Sequence, residues 1–179
     1  MKKLLLSVVF ASAFMPALAG IDTGIDAGMT HLSLLGGAAA PISSYDMTPP
    51  GSDDKLDYGD VGPTYGIQLM HYLAPYFGLG AEFMGTNYTD SDLTVGSTKY
   101  TTGADRYSFM LAGKFVFAPK AKTRFYIPVG GGFSRFKATM EDNTGNSESA
   151  SCTKPAFYAG IGVESDLNDI FIFGIEGRY

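Results

Sequence analysis

Few residues in this chain are of a type that could do chemistry. His31 and His71 are its two histidines, and Cys152 is its single cysteine. His31 and Ser33 are two residues apart, so an extended strand puts them on one face. That pair is the beginning of a lipid-hydrolysing or acyl-transferring site. Such a site also needs an acid to orient the histidine and a donor for the oxyanion, and neither is identifiable beside it. A nucleophile without those partners is not a triad, so the expectation is no enzyme and no cofactor. His71 falls on an apolar face beside a short turn, which fits an interfacial position. Asp53, Asp54, Asp57 and Asp60 carry oxygen ligands of the kind calcium takes, as does the run Asp142-Asn143-Thr144-Gly145-Asn146. Neither has EF-hand spacing, so both read as solvated acidic loops and no metal is assigned. One cysteine excludes an internal disulfide framework and a CxxC site. Cys152 is a free thiol, a bridge to another molecule, or a bridge to a further loop beyond Tyr179.

The elements that must position these residues follow from composition and period. The chain has 179 residues, a net charge of −5, 17% charged and 13% aromatic residues, 23 glycines and no tryptophan. Charged residues are scarcer than the ~25% of average soluble domains. The negative charge excludes the basic face that nucleic-acid binding wants. Lys2 and Lys3, the apolar run from Leu4 to Phe14, Pro16, and Ala17-Leu18-Ala19 form the n-region, h-region and cleavage site of a secretory signal peptide. Residues 1–19 are therefore expected to be removed, and 20–179 to form one domain. Removal takes away two lysines and no acid, leaving a charge of −7.

Along the mature chain the apolar period is two. Tyr107, Phe109, Leu111, Gly113, Phe115 and Phe117 alternate with Ser108, Met110, Ala112, Lys114 and Val116. The same alternation runs through Phe77 to Tyr88, Phe125 to Phe133, Phe157 to Glu164 and Phe171 to Glu176, with further strands at Tyr65 to Leu73 and about Met29 to Ala40. Seven strands and no helix are predicted. One face is bulky and apolar. The other is mostly glycine, alanine and serine with isolated charges, which suits a narrow, crowded lumen. Phe77, Phe115, Phe117, Phe125 and Phe171 lie towards one rim; Tyr107, Phe109, Phe133 and Phe157 lie towards the other. Two aromatic girdles flanking an apolar band of ~25 Å mark a transmembrane β-barrel. Alternation by itself does not tell the two faces apart, and a secreted soluble β-protein with an aromatic core is the competing reading.

Connections alternate strictly between short and long. The short links are 74–76, 118–122 and 166–169, and the long polar links are 42–62, 89–103 and 137–153. Outer-membrane barrels have short periplasmic turns and longer extracellular loops. The three long links hold ten acids and three bases, so they carry the whole mature charge of −7. The first and seventh strands both rise from the periplasm, whereas a closed single-chain barrel has an even count. The pattern reads as an eight-strand barrel lacking its last strand.

The stretch Gly162-Val163-Glu164-Ser165-Asp166-Leu167-Asn168-Asp169, continued by Gly174-Ile175-Glu176-Gly177-Arg178-Tyr179, resembles the hairpin of strands six and seven in the OmpA-like small outer-membrane β-barrels. Ala74-Pro75-Tyr76-Phe77-Gly78-Leu79, Ala112-Gly113-Lys114-Phe115 and Val129-Gly130-Gly131-Gly132 are similar to their third, fourth and fifth strands. The resemblance implies an all-β, antiparallel up-and-down transmembrane barrel, with its eighth strand after Tyr179. It also implies an inward salt-bridge cluster across the lumen. Lys114 and Glu164 occupy the family's lysine and hairpin-glutamate positions, and Glu82 lies two residues from the matching position of strand three. Gly174 replaces the hairpin arginine, with Arg124 and Arg178 as substitutes; Glu176 and Arg106 complete the expected cluster. Glu82 and Lys114, on neighbouring strands, are candidates for one ion pair.

Three functions compete on these features. One is a structural barrel whose acidic loops meet an extracellular ligand, as an adhesin or antigen does. The second is a narrow porin-like channel gated by lumen charges, and the third is a barrel enzyme acting on envelope lipids. Loop content favours the first. The expected surroundings are the cell outer membrane of a Gram-negative-type bacterium, with outer-membrane lipid, lipopolysaccharide and the barrel assembly machinery as partners and no nucleic acid.

Overall fold

The computed structural model describes residues 7–9, 24–40, 61–95, 98–144, 147–168 and 171–179. Its strands are β1 (Ser7–Val9), β2 (Thr30–Ala39), β3 (Gly62–Ala74), β4 (Phe77–Val95), β5 (Thr98–Phe117), β6 (Thr123–Asp142), β7 (Ser147–Asp166) and β8 (Ile172–Arg178). From β2 to β8 each strand pairs antiparallel with the next, and β1 pairs antiparallel with β8. The sheet curls until its end strands β1 and β2 lie against each other.

All seven predicted strands are present, and alternation placed their faces correctly. Leu79, Phe83, Phe109, Leu111, Phe125, Phe133, Phe157 and Ile161 point outward and are exposed, whereas Met84, Met110, Ala112, Val116 and Tyr126 are buried inside. A soluble sandwich would bury the first set, so the exposed apolar belt decides for a barrel facing lipid. Of the girdle residues, Phe115 and Phe117 are also exposed; Phe77 is half-buried against Phe115, 5.0 Å between ring centres. Phe171 is half-buried just ahead of β8. Tyr107 and Phe117 are both exposed on β5, ten residues apart. At ~3.4 Å per residue and a tilt of ~40° that separation is ~26 Å along the barrel axis, the height of an outer-membrane apolar band.

Two of the three long links are not loops. β4 has 19 residues and β5, β6 and β7 have 20 each. Most of 89–103 and 137–153 is therefore strand. Period-two apolar patterning ends where the lipid ends, so sequence alternation misses the polar continuation of the same ladders. A bilayer is crossed by ~9–11 residues of tilted strand, so about half of each long strand stands clear of it. Ser147–Pro155 are exposed at every position, whereas the rest of β7 alternates. That part of the sheet has solvent on both faces. Of the remaining long link, 42–62, Gly62 begins β3, and residues 42–60 with the acids Asp46, Asp53, Asp54, Asp57 and Asp60 lie outside the described residues.

At the seam, Ser7, Val8 and Val9, within the expected leader, pair with Arg178, Gly177 and Glu176 of β8. An edge strand facing lipid must satisfy its N–H and C=O groups, and this segment holds the place beside β8. Residues 24–29 then fold under the lumen. Ile25 N–H donates to Pro119 O at 2.9 Å, Gly28 N–H to Tyr72 O at 2.7 Å and Tyr72 N–H to Met29 O at 2.8 Å. Ile25 is fully buried and joins Met70, Tyr72, Ala112, Val116 and Tyr126 in an apolar floor.

Candidate functional site

Inside the barrel, paired charges form two layers in the lumen. The layer nearer the short turns is built on Arg124. Its position on β6 lies directly opposite Glu164 on β7 in the ladder. Its Nε donates to Glu164 Oε1 at 2.6 Å, and its Nη1 and Nη2 donate to the two oxygens of Asp166 at 2.8 and 2.7 Å. The Arg124 side chain is fully buried. Lys114 of β5 donates to the other oxygen of Glu164 and lies 3.9 Å from the centre of the Tyr126 ring. Two cations meet two acids here, so the layer is neutral.

The second layer lies towards the long ends of the strands. Arg178 of β8 reaches across the lumen to β4, where its Nη1 donates to Glu82 Oε1 at 2.5 Å; its Nε donates to Glu176. The other oxygen of Glu82 accepts from Gln68 Nε2 at 2.7 Å and from the Tyr158 hydroxyl at 3.5 Å. The Tyr158 ring lies under the Arg178 guanidinium, 4.4 Å from centre to Cζ. Small residues make these layers possible. A Cβ on Gly162 would run into the Tyr126 ring, and one on Gly130 into the Tyr158 ring.

The expected lumen cluster is thus assembled, with different pairings from those anticipated. Glu82 and Lys114 do not pair: Glu82 faces Met110 in the β4–β5 ladder, whereas Lys114 faces Gly78. Four residues of offset put them in different layers. Both substitutes for the missing hairpin arginine act, Arg124 in one layer and Arg178 in the other. Arg106 stands further out, lining a cavity with Arg178. Asp166 is a partner that the sequence reading missed, although it lies two residues after Glu164 and so on the same face. Tyr72, Tyr126, Tyr158 and Gln68 were missed because aromatic and amide residues on an inward face look like filler until the far wall is known.

These pairings predict an energetic pattern. Lys114→Ala and Glu82→Ala should show independent effects on the unfolding midpoint, adding within ~0.5 kcal/mol. Lys114→Ala and Glu164→Gln should instead couple, because each alone leaves the other group buried with a poorer partner. Urea titrations of the four-variant cycles, followed by tyrosine fluorescence, check both; coupling of Lys114 to Glu82 would refute the two-layer arrangement.

Between the layers lies a cavity of about 30 Å³ lined by His31, Ser33, Gln68, Tyr126, Glu164 and Glu176, among others. This holds little more than one water. His31 is buried edge-on against Tyr72, with ring centres 4.8 Å apart. His71 faces outward beside the turn, as expected, within 2.9 Å of the Thr30 hydroxyl. Outside the lipid band, Asp92 accepts from Lys99 at 2.7 Å and from the Thr101 hydroxyl at 2.8 Å. The Lys99 hydrogen bond holds the Asp92 carboxyl below its usual range. Cys152 is exposed on the outer half of β7.

A family model described as the outer membrane protein beta-barrel domain matches residues 4–179. The chain belongs to the outer membrane protein beta-barrel domain family. No curated protein and no solved structure matches it. For a member of this family the exposed phenylalanine belt is the lipid-facing surface and the ionic layers are its interior. The matched span includes the strand Ser7–Val9.

Proposed function

We propose that this outer-membrane barrel is a closed, non-catalytic scaffold that works through its extracellular side, in structural or adhesin-like contact with ligands outside the cell. The observation that carries this reading is the pair of ionic layers filling the lumen beneath strands that run far beyond the lipid. A charge withdrawn from water costs several kcal/mol unless it is paired, and the two layers pair Lys114, Arg124 and Arg178 with acids from other strands, Glu176 joining Arg178 from its own strand. Opening a path for ions would mean breaking both layers. The small size of the His31–Ser33 cavity leaves a lipid substrate no access to that pair, which supports a non-catalytic role. Export by a cleaved leader, insertion by the barrel assembly machinery, and an environment of outer-membrane lipid and lipopolysaccharide in a Gram-negative-type envelope complete the reading.

Two measurements test it. In planar bilayers the purified protein should give no unitary conductance steps; steady steps would replace the closed scaffold by a narrow channel. On intact cells an impermeant maleimide should label Cys152. It should not label a cysteine introduced at the short turn as Lys120→Cys on a Cys152→Ser background. The reverse pattern would invert the topology.

A further inference from the structure

Directly outside the Arg178 layer the lumen widens into a cavity of about 150 Å³. Its polar wall is Arg106, Arg178, Ser108 and Ser134, and its apolar wall includes Met84 and Met110. Arg178 is more than nine-tenths buried, and its Nη2 has no hydrogen-bond partner; the buried Nε of Arg106 has none either. A buried donor without an acceptor is costly and calls for an explanation, such as a site built for a ligand. Glu82, which also lines the cavity, cannot answer both: one of its oxygens is held by Arg178 Nη1 and the other by Gln68 and Tyr158. The cavity wall carries two guanidinium groups and this one engaged carboxylate; Arg178 also holds Glu176 behind the wall, so the cationic excess comes from Arg106. Ser108 and Ser134 bond each other at 2.9 Å. One hydroxyl proton lies between them, so the other is free to donate.

We propose that this vestibule binds a small organic carboxylate, its oxygens on Arg106, Arg178 and the serine pair and its apolar body against Met84 and Met110. The size fits, since a cavity of ~150 Å³ accommodates a benzene-sized body. A carboxylate is preferred to a neutral acceptor because both orphaned nitrogens belong to cations, and charge-assisted hydrogen bonds are about twice as strong as neutral ones. The two methionines are unbranched and adapt to an irregular body. The site belongs to the lumen and is independent of any ligand for the extracellular strands.

The test uses the full chain folded in detergent micelles, with ¹³C-methyl methionine labelling and sodium benzoate as the probe. Benzoate should shift the Met84 and Met110 methyl signals saturably and leave Met70, in the apolar floor, unmoved. Arg106→Gln should weaken binding by about tenfold or more, the loss expected for a charged hydrogen bond. Benzyl alcohol, which keeps the ring and lacks the charge, should bind the unaltered protein about tenfold more weakly on the same ground. The benzyl alcohol comparison needs no variant and so stands if Arg106→Gln fails to fold. Absence of saturable shifts at Met84 and Met110, equal affinity in Arg106→Gln, or equal affinity for benzyl alcohol would each overturn the proposal.

Discussion

Replacing Arg124 by methionine should destabilise the folded barrel by ~3–5 kcal/mol, the cost of leaving a buried acid without its partner. Arg124 is the hub of the inner ionic layer: its fully buried guanidinium holds Asp166 with two hydrogen bonds and Glu164 with a third. In the variant Glu164 keeps Lys114, so the stranded group is Asp166, at 6% exposure. Adding Asp166→Asn to Arg124→Met should therefore recover more than half of the loss, since the amide removes the unpaired charge and keeps the shape. The readout is the urea midpoint of tyrosine fluorescence together with the mobility of the unheated protein on gels. An Arg124→Met midpoint equal to that of the unaltered protein, or no recovery in the double variant, would mean that the layer does not hold the barrel.

Replacing Leu111 by arginine should cost ~2–4 kcal/mol, as a charge on the lipid face at mid-bilayer does. Leu111 lies between the exposed Tyr107 and Phe117 of β5, is itself 62% exposed, and is flanked in the ladder by Ala81 and Gly131. By accessibility it is a surface residue, and in a soluble protein a charge there would change stability by less than ~0.5 kcal/mol. The large cost arises only if hydrocarbon is the solvent on that side. Ser149→Arg, on the fully exposed outer half of β7, is the control and should be neutral. Refolding into lipid vesicles at graded urea separates the two; a neutral Leu111→Arg would place that face in water.

Period-two alternation was enough to read the strands, the outward belt and the short turns, because a sheet between lipid and a packed lumen imposes one polarity rule on each face. Phe109, Leu111, Phe133 and Phe157 marked one bulky apolar face by residue type, and Gly130 and Gly162 the small-residue face opposite. Past the lipid that rule lapses. Thr98 to Ala104 and Ala138 to Asp142 carry little alternation, so their strand character depends on ladders continued from below. The inner charges divide in the same way. Arg124 facing Glu164 is a register consequence of one antiparallel pair, with Asp166 two residues on, so that layer is nearly legible from the chain once the β6–β7 register is known. Arg178 meeting Glu82 is not: the two are 96 residues apart and on strands that are not neighbours in the sheet, and only the curvature of the curled sheet brings them within reach. The same holds for Ile25 under the floor and for Ser7–Val9 beside β8. Sequence by itself determined which residues share a face, since that is a property of each residue and its neighbours two apart; the tertiary structure turned the bulky apolar face outward. Tertiary structure decided which charges pair, since that depends on the distance across the barrel, which no local pattern encodes.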